Sequence, residues 1–153
     1  MINWKLIAPT VFIMDNNNKC VRNWFSNMVI SPIIIDGVEW ASVENYYQGM
    51  KEINPVDRIM YTLLSPSDAK ASGRKANLRP EWEEIKESVM KQALKVKFAP
   101  GTNHAQRLLE TEDAILVEWN NWGDKYWGVC IKTYKGLNRL GVLLMEVRTE
   151  LRR

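Results

Sequence analysis

The chain has 153 residues, 46% of them hydrophobic and 25% charged, with a net charge of +3 and two cysteines, Cys20 and Cys130. That composition excludes disordered and fibrous classes and suits one globular domain, able to bury roughly 70% of its unfolded surface without a disulfide framework. The basic excess is too scattered for a dedicated DNA-binding face; the start Met1-Ile-Asn-Trp-Lys lacks signal-peptide features and no apolar run reaches a membrane span, so the expected compartment is the cytosol.

Strands are expected around Val11–Met14 and Val29-Ile30. The run Ile33–Ile35, then Asp36-Gly37, then Val38–Trp40 predicts a hairpin, because Asp-Gly readily takes the positive φ angles of a two-residue turn. Ser42 offers an N-cap to a helix over residues 43 to 52. Ser65-Pro66 opens another, with Gly73 available to end it. Arg79-Pro80 precedes the longest helix, in which Trp82, Ile85, Val89, Ala93 and Val96 form an apolar stripe that runs to about Phe98. Asn103 can cap a short helix to about Glu110, with Gln106 at the capping-box position. Ala114–Trp119 has the pattern of a buried strand, residues 120 to 128 read as a loop, and Leu137, Leu140, Leu144, Val147 and Leu151 mark a closing amphipathic helix. The fold class is α+β: one mainly helical domain over residues 1–153, with about five helices and a few short antiparallel strands.

Three segments carry residues suited to chemistry. On a helix, Glu44, Gln48 and Lys51 fall within roughly 60° of one another, opposite Val43, Tyr46 and Met50. Such a face is either a solvated one with a helical ion pair, or a carboxylate and an amine placed for acid–base work or imine formation. In Asn120-Asn-Trp-Gly-Asp124-Lys-Tyr-Trp127-Gly128, two indoles and a phenol flank a carboxylate. The loop either stacks on a base, with Asp124 facing a ribose or a positive anomeric carbon, or packs on the core with Asp124 as a turn residue. Gly136-Leu-Asn138-Arg-Leu-Gly141 either makes a turn and cap or presents a helix N-terminus to a phosphate, with Arg74 and Arg79 as candidate cations of that site; Arg148, in the C-terminal basic cluster, is a separate candidate phosphate contact. His104 is the sole histidine and reads as a surface residue. With neither cysteine near another, no metal site is expected, and no Walker or Rossmann glycine pattern points to a cofactor.

Taken together, these motifs resemble the NADAR family, named for NAD and ADP-ribose, which includes the YbiA-like N-glycosidases. The likeness runs through Phe25-Ser-Asn27, Glu44-Asn-Tyr-Tyr-Gln48-Gly-Met-Lys51, Ser65-Pro-Ser-Asp-Ala-Lys70-Ala-Ser-Gly73-Arg74, Arg79-Pro-Glu-Trp82, Asp124-Lys-Tyr-Trp127-Gly128 and Gly136-Leu-Asn138 on to Arg148. The resemblance implies metal-independent cleavage of a C1′–N bond in a ribose-phosphate-containing substrate. The substrate would be a ribosylamino-pyrimidine phosphate of riboflavin synthesis, or ADP-ribose attached to guanine in nucleic acid. It implies Glu44, Lys51 and Asp124 as the catalytic set, and Asn27, Tyr47, Gln48, Arg74, Trp82, Trp127, Gly128, Asn138 and Arg148 as ligand contacts. Position 45 departs from the family pattern, carrying Asn where the motif often has His. The rival reading is a non-catalytic module that binds NAD, ADP-ribose or ADP-ribosylated nucleic acid. It needs the same aromatic and basic groups without a reactive Glu44 and Lys51.

Overall fold

Asp36 and Gly37 take φ angles of 51° and 77°, the left-handed pair that the sequence predicts. They close an antiparallel hairpin of β2 (Ile33–Ile35) and β3 (Val38–Trp40), in which Ile33 pairs with Trp40. In the computed structural model, Asn3, Phe12–Ile13 and residues 25–153 are described. Val11, Met14 and Cys20 lie outside them. The chain divides into two compact units, one of residues 27–97 and one of residues 98–153 with the segment before Asn27. Among the described residues no helix is long and apolar enough to cross a membrane.

In the unit of residues 27–97, four α-helices follow the hairpin. Ser42 caps α1 (Val43–Gly49), its hydroxyl accepting the Asn45 N–H at 3.2 Å. The helix is three residues shorter than predicted, and the cause is a competing pairing. The Ile53 N–H donates to Asn77 and the Arg79 N–H to the Lys51 carbonyl, so the chain after Met50 leaves the helix for an extended partner. Of the two readings of its polar face, the solvated one fails, since all seven α1 residues are buried.

No element is predicted over residues 53–64, yet they form α2 (Pro55–Met60) and a 3-10 turn (Tyr61–Leu63). The start signal is the pair Asn54-Pro55, in which the Asn54 side chain accepts the Val56 N–H and proline takes the first helical position. No α2 residue is buried. Ser65 caps α3 (Pro66–Gly73), as predicted.

The longest helix, α4 (Trp82–Lys97), buries Trp82, Val89, Met90, Ala93 and Leu94. Ile85 and Val96 of the predicted stripe are only half-buried, and Met90 and Leu94 take over the inner face. The core of this unit thus lies between α1, the hairpin and α4, where Trp40 meets Tyr46 edge-on at 5.3 Å. A fully buried aliphatic or aromatic side chain there contributes about 1.5–3 kcal/mol.

The second unit holds α5 (Asn103–Leu109) and α6 (Arg139–Leu151) with a sheet ordered β1 (Phe12–Ile13), β4 (Val117–Asn120), β5 (Val129–Cys130). Both pairings in that sheet are parallel, which corrects the expectation of antiparallel strands outside the hairpin. Val29-Ile30 forms no strand. Thr102, not Asn103, caps α5, accepting the Ala105 N–H at 3.0 Å. Leu140, Leu143, Leu144 and Val147 face the core from α6, whereas Leu137 precedes the helix and is 61% exposed. The class is α+β with six helices among the described residues, against about five expected.

Candidate active site

Glu44 sits in the first turn of α1, where the helix dipole favours a carboxylate, and only 8% of the residue is exposed. Its backbone N–H donates to the Asn27 carbonyl at 3.1 Å, and its Oε1 accepts the Gln48 amide at 2.7 Å one helical turn on. Lys51 follows the helix end. Burial pulls its ammonium below the usual lysine range, and the neighbouring Arg74 and Lys86 push the same way while Glu44 and Glu83 oppose them. The Lys51 Nζ lies 5.3 Å from the centre of the Tyr47 ring, which leans on Trp82 at 5.2 Å. A buried carboxylate and a partly desolvated amine of this unit thus lie within reach of one another's charge.

The other predicted contacts in this unit are distributed unevenly. Asn27 is buried beside Glu44, and its amide nitrogen reaches the Met90 sulfur at 3.4 Å. Tyr47 and Trp82 are 6% and 4% exposed, so most of each aromatic face is already covered. Arg74 caps α3 and is solvent-exposed, and Arg79 is drawn to Glu81 at 2.9 Å. Asn45, the departure from the family pattern, donates to the carbonyls of Tyr61 and Leu64 at 3.0 and 2.9 Å. It ties the 3-10 turn to α1 and leaves Glu44 to Gln48.

Sequence reasoning passes over one buried carboxylate in this unit. Glu52 accepts the Tyr61 hydroxyl at 3.0 Å and the Asn77 N–H at 3.1 Å. Burial, with that bond to a carboxylate, pushes the Tyr61 hydroxyl up to about 12. No local pattern foretells this, since the partners come from three segments.

In the second unit Asp124 lies in the 121–128 loop between β4 and β5. Its Oδ1 accepts the N–H groups of Tyr126 and Trp127, both at 3.0 Å. Asn120, fully buried, holds the same loop by accepting from Gly123 and Asp124 and donating to the Asp124 carbonyl. Trp127 is half-buried and meets Tyr126 edge-on at 5.0 Å. Gly128 is needed for backbone packing: a Cβ there would lie 2.9 Å from the Asn120 amide nitrogen and press on the Glu118 carbonyl.

The start of α6 is occupied. The N–H groups of Arg139 and Leu140 donate to the carbonyls of Tyr126 and Trp127 at 3.0 Å, so a turn fits this segment better than a phosphate cradle, and the Asn138 side chain makes no capping bond. Asn138 is fully buried with φ 53°, accepting from Glu118 N–H at 2.9 Å and donating to the Leu116 carbonyl at 2.8 Å. Arg148, 5% exposed, donates to Thr111 and to the Ala114 carbonyl. His104 is half-buried against Phe98, not on the surface as predicted. Among the described residues no group of three His, Cys, Asp or Glu side chains is placed to hold a metal ion.

Comparison with known proteins gives a consistent result. The sequence model of the family described as the NADAR domain matches residues 11–152. An N-glycosidase of Nostoc punctiforme is 38% identical over 84% of this chain and 85% of its own length. N-glycosidase YbiA of Escherichia coli is 41% identical over 83% and 80%, and its NMR structure superposes with a TM-score of 0.81, covering 94% of this chain and 86% of that one. A riboflavin biosynthesis protein of Vibrio vulnificus is 33% identical over 94% of this chain, which spans 38% of its length.

Proposed function

The chain belongs to the NADAR family, and from that premise we propose that it is an N-glycosidase that hydrolyses the C1′–N bond of a ribosylamino-pyrimidine phosphate. The single observation that carries this reading is the pairing of Glu44, buried and dipole-supported, with Lys51, whose ammonium is weakened by burial. Relatives named N-glycosidase or riboflavin biosynthesis protein support the substrate class. One family domain matched across both units supports reading the chain as a single functional domain, and the cytosol is its proposed compartment.

Cleavage of the bond develops positive charge on C1′ and leaves an electron pair on the departing nitrogen. In the proposed mechanism Glu44 takes a proton from water as the water oxygen bonds to C1′. Lys51 gives its proton to the leaving base, and the Glu44 proton then restores the ammonium. A lysine below its usual range is the better donor, since it gives up its proton more easily than an ordinary lysine. For Asp124 and Trp127, on the other unit, the family resemblance supports roles of charge stabilisation and stacking respectively. Exposed Arg74 is the proposed phosphate cation.

The test is incubation of the purified protein with a ribosylamino-pyrimidine phosphate, with NAD and with DNA carrying ADP-ribosylated guanine, following released base by mass spectrometry. Release from the first alone is the expected result. Release only from the DNA replaces the proposed substrate, and binding with all three left intact replaces the enzyme by a recognition module.

A further inference from the structure

Gly73 is the last residue of α3, and its φ is not among the positive ones, so the backbone there does not call for glycine. What calls for it is space. A Cβ built on Gly73 would lie 2.6 Å from Gln48 Cδ, 3.2 Å from its Cβ, and closer still to its Oε1. The buried Gln48 amide therefore fills the volume that a side chain at position 73 would take. Its oxygen rests against Gly73 and finds no hydrogen-bond donor among the described residues, while its Nε2 donates to Glu44 at 2.7 Å. An amide in this position has two ends and one choice. Turned about, it would set its oxygen against the Glu44 carboxylate and lose the bond it makes there.

We infer that Gly73 and Gln48 are a positioning pair for the candidate catalytic carboxylate: the missing side chain on α3 seats the Gln48 amide, which fixes the direction and the ionised form of Glu44. Gln48 then acts through Glu44 and not as a ligand contact. The inference rests on the proposed N-glycosidase reading for its kinetic consequences and on geometry alone for its structural ones. A carboxylate that loses a hydrogen bond to its charged form holds a proton more tightly. Lys51, which feels the Glu44 charge, and the groups that act on Lys51 in turn, Arg74 after α3 and Lys86 and Glu83 on α4, are unchanged by substitution at 48 or 73.

The experiment compares Gly73→Ala, Gln48→Ala and the double variant. Gly73→Ala forces the amide out of its seat. The expected result is a kcat at least tenfold lower with KM within twofold, and an acidic limb of the pH–rate profile moved up by about one unit, the equivalent of one hydrogen bond. In the double variant, the methyl added on α3 fills space vacated by the truncated glutamine. Its melting temperature should recover from that of Gln48→Ala toward the parent, while kcat stays at the Gln48→Ala level. Carbon-13 NMR titration of the labelled Glu44 carboxyl, which needs no turnover, should show the same upward move in Gly73→Ala.

The inference is overturned if Gly73→Ala keeps the parent's pH profile and NMR midpoint, if the changes appear in KM alone, or if kcat recovers together with the melting temperature in the double variant. A parent protein that releases no base from any substrate fails the N-glycosidase reading instead, and the NMR titration still decides the positioning pair.

Discussion

Glu44 and Asp124 are both candidate catalytic carboxylates, and their surroundings differ in kind. Glu44 stands on a seven-residue helix that is buried throughout, and its carboxylate is met by a side chain, Gln48, that is itself wedged in place. Asp124 stands on a loop that Asn120 and the first residues of α6 hold through hydrogen bonds to backbone, and its own Oδ1 binds two backbone N–H groups. One acid is aimed by packing. The other spends an oxygen on shaping the loop that carries it, so its charge and its architectural duty are entangled and have to be separated by substitution.

The sharpest separation comes from neutral isosteres. Glu44→Gln keeps volume and can still accept from Gln48, so kcat for base release should fall by about 10²–10⁴-fold with the melting temperature within about two degrees. An unchanged kcat removes Glu44 from the chemistry. Asp124→Asn keeps an oxygen for the Tyr126 and Trp127 N–H groups and should lower kcat by about 10²-fold without loss of stability. Asp124→Ala, which strips both bonds, should lose about 1–2 kcal/mol in urea unfolding as well. Equal activity in Asp124→Asn and the parent would make this residue architectural only. Lys51→Met should remove the alkaline limb of the pH–rate profile, which in the parent lies below the usual lysine range because burial favours the neutral amine. A limb that survives in Lys51→Met belongs to another group.

Smaller effects, read as stability, test the scaffolds. Asn138→Ala removes the side-chain partners of the half-buried Glu118 N–H and the buried Leu116 carbonyl and puts alanine at a left-handed position, and should cost about 3 kcal/mol in chemical denaturation. Recovery of less than a third of that in Asn138→Gly would mean that the lost bonds, not the backbone angle, dominate. Tyr61→Phe should cost about 1 kcal/mol near neutrality. The folded Tyr61 hydroxyl, raised to about 12, resists ionisation where an unfolded tyrosine ionises near 10. Its contribution is therefore complete below pH 10 and disappears as pH rises through about 12, a decline that the Phe variant should lack.

Local chemistry is the legible part of the fold. The Asp36-Gly37 turn and the Ser42 and Ser65 caps are each written within a few residues, and each stands where predicted; of the closing stripe, Leu140, Leu144 and Val147 are buried as predicted and Leu137 is not. Wherever distant segments compete, prediction slips: α1 ends early because residues 51–53 pair with 77–79, and Asn54-Pro55 escapes notice because no apolar periodicity follows it. For the candidate site, the polar identity of Glu44, Gln48 and Lys51 is visible in the sequence, while their burial is not. Periodicity suggests a wet face, since a polar stripe looks the same whether water or another helix covers it. Asn138 and Arg148, ligand contacts by resemblance, are also internal braces, a duty that only hydrogen-bond partners reveal.

A helix of seven residues is too short to persist by itself in water, so α1 exists only while the surrounding apolar mass is assembled. The acid it carries cannot outlast that assembly. Trimming a methyl from Val43 or crowding Ala69, both fully enclosed, would therefore surface in a living cell first as less enzyme passing quality control, not as a slower one. Selection acting on output would hold those mute aliphatic positions almost as firmly as the carboxylate itself.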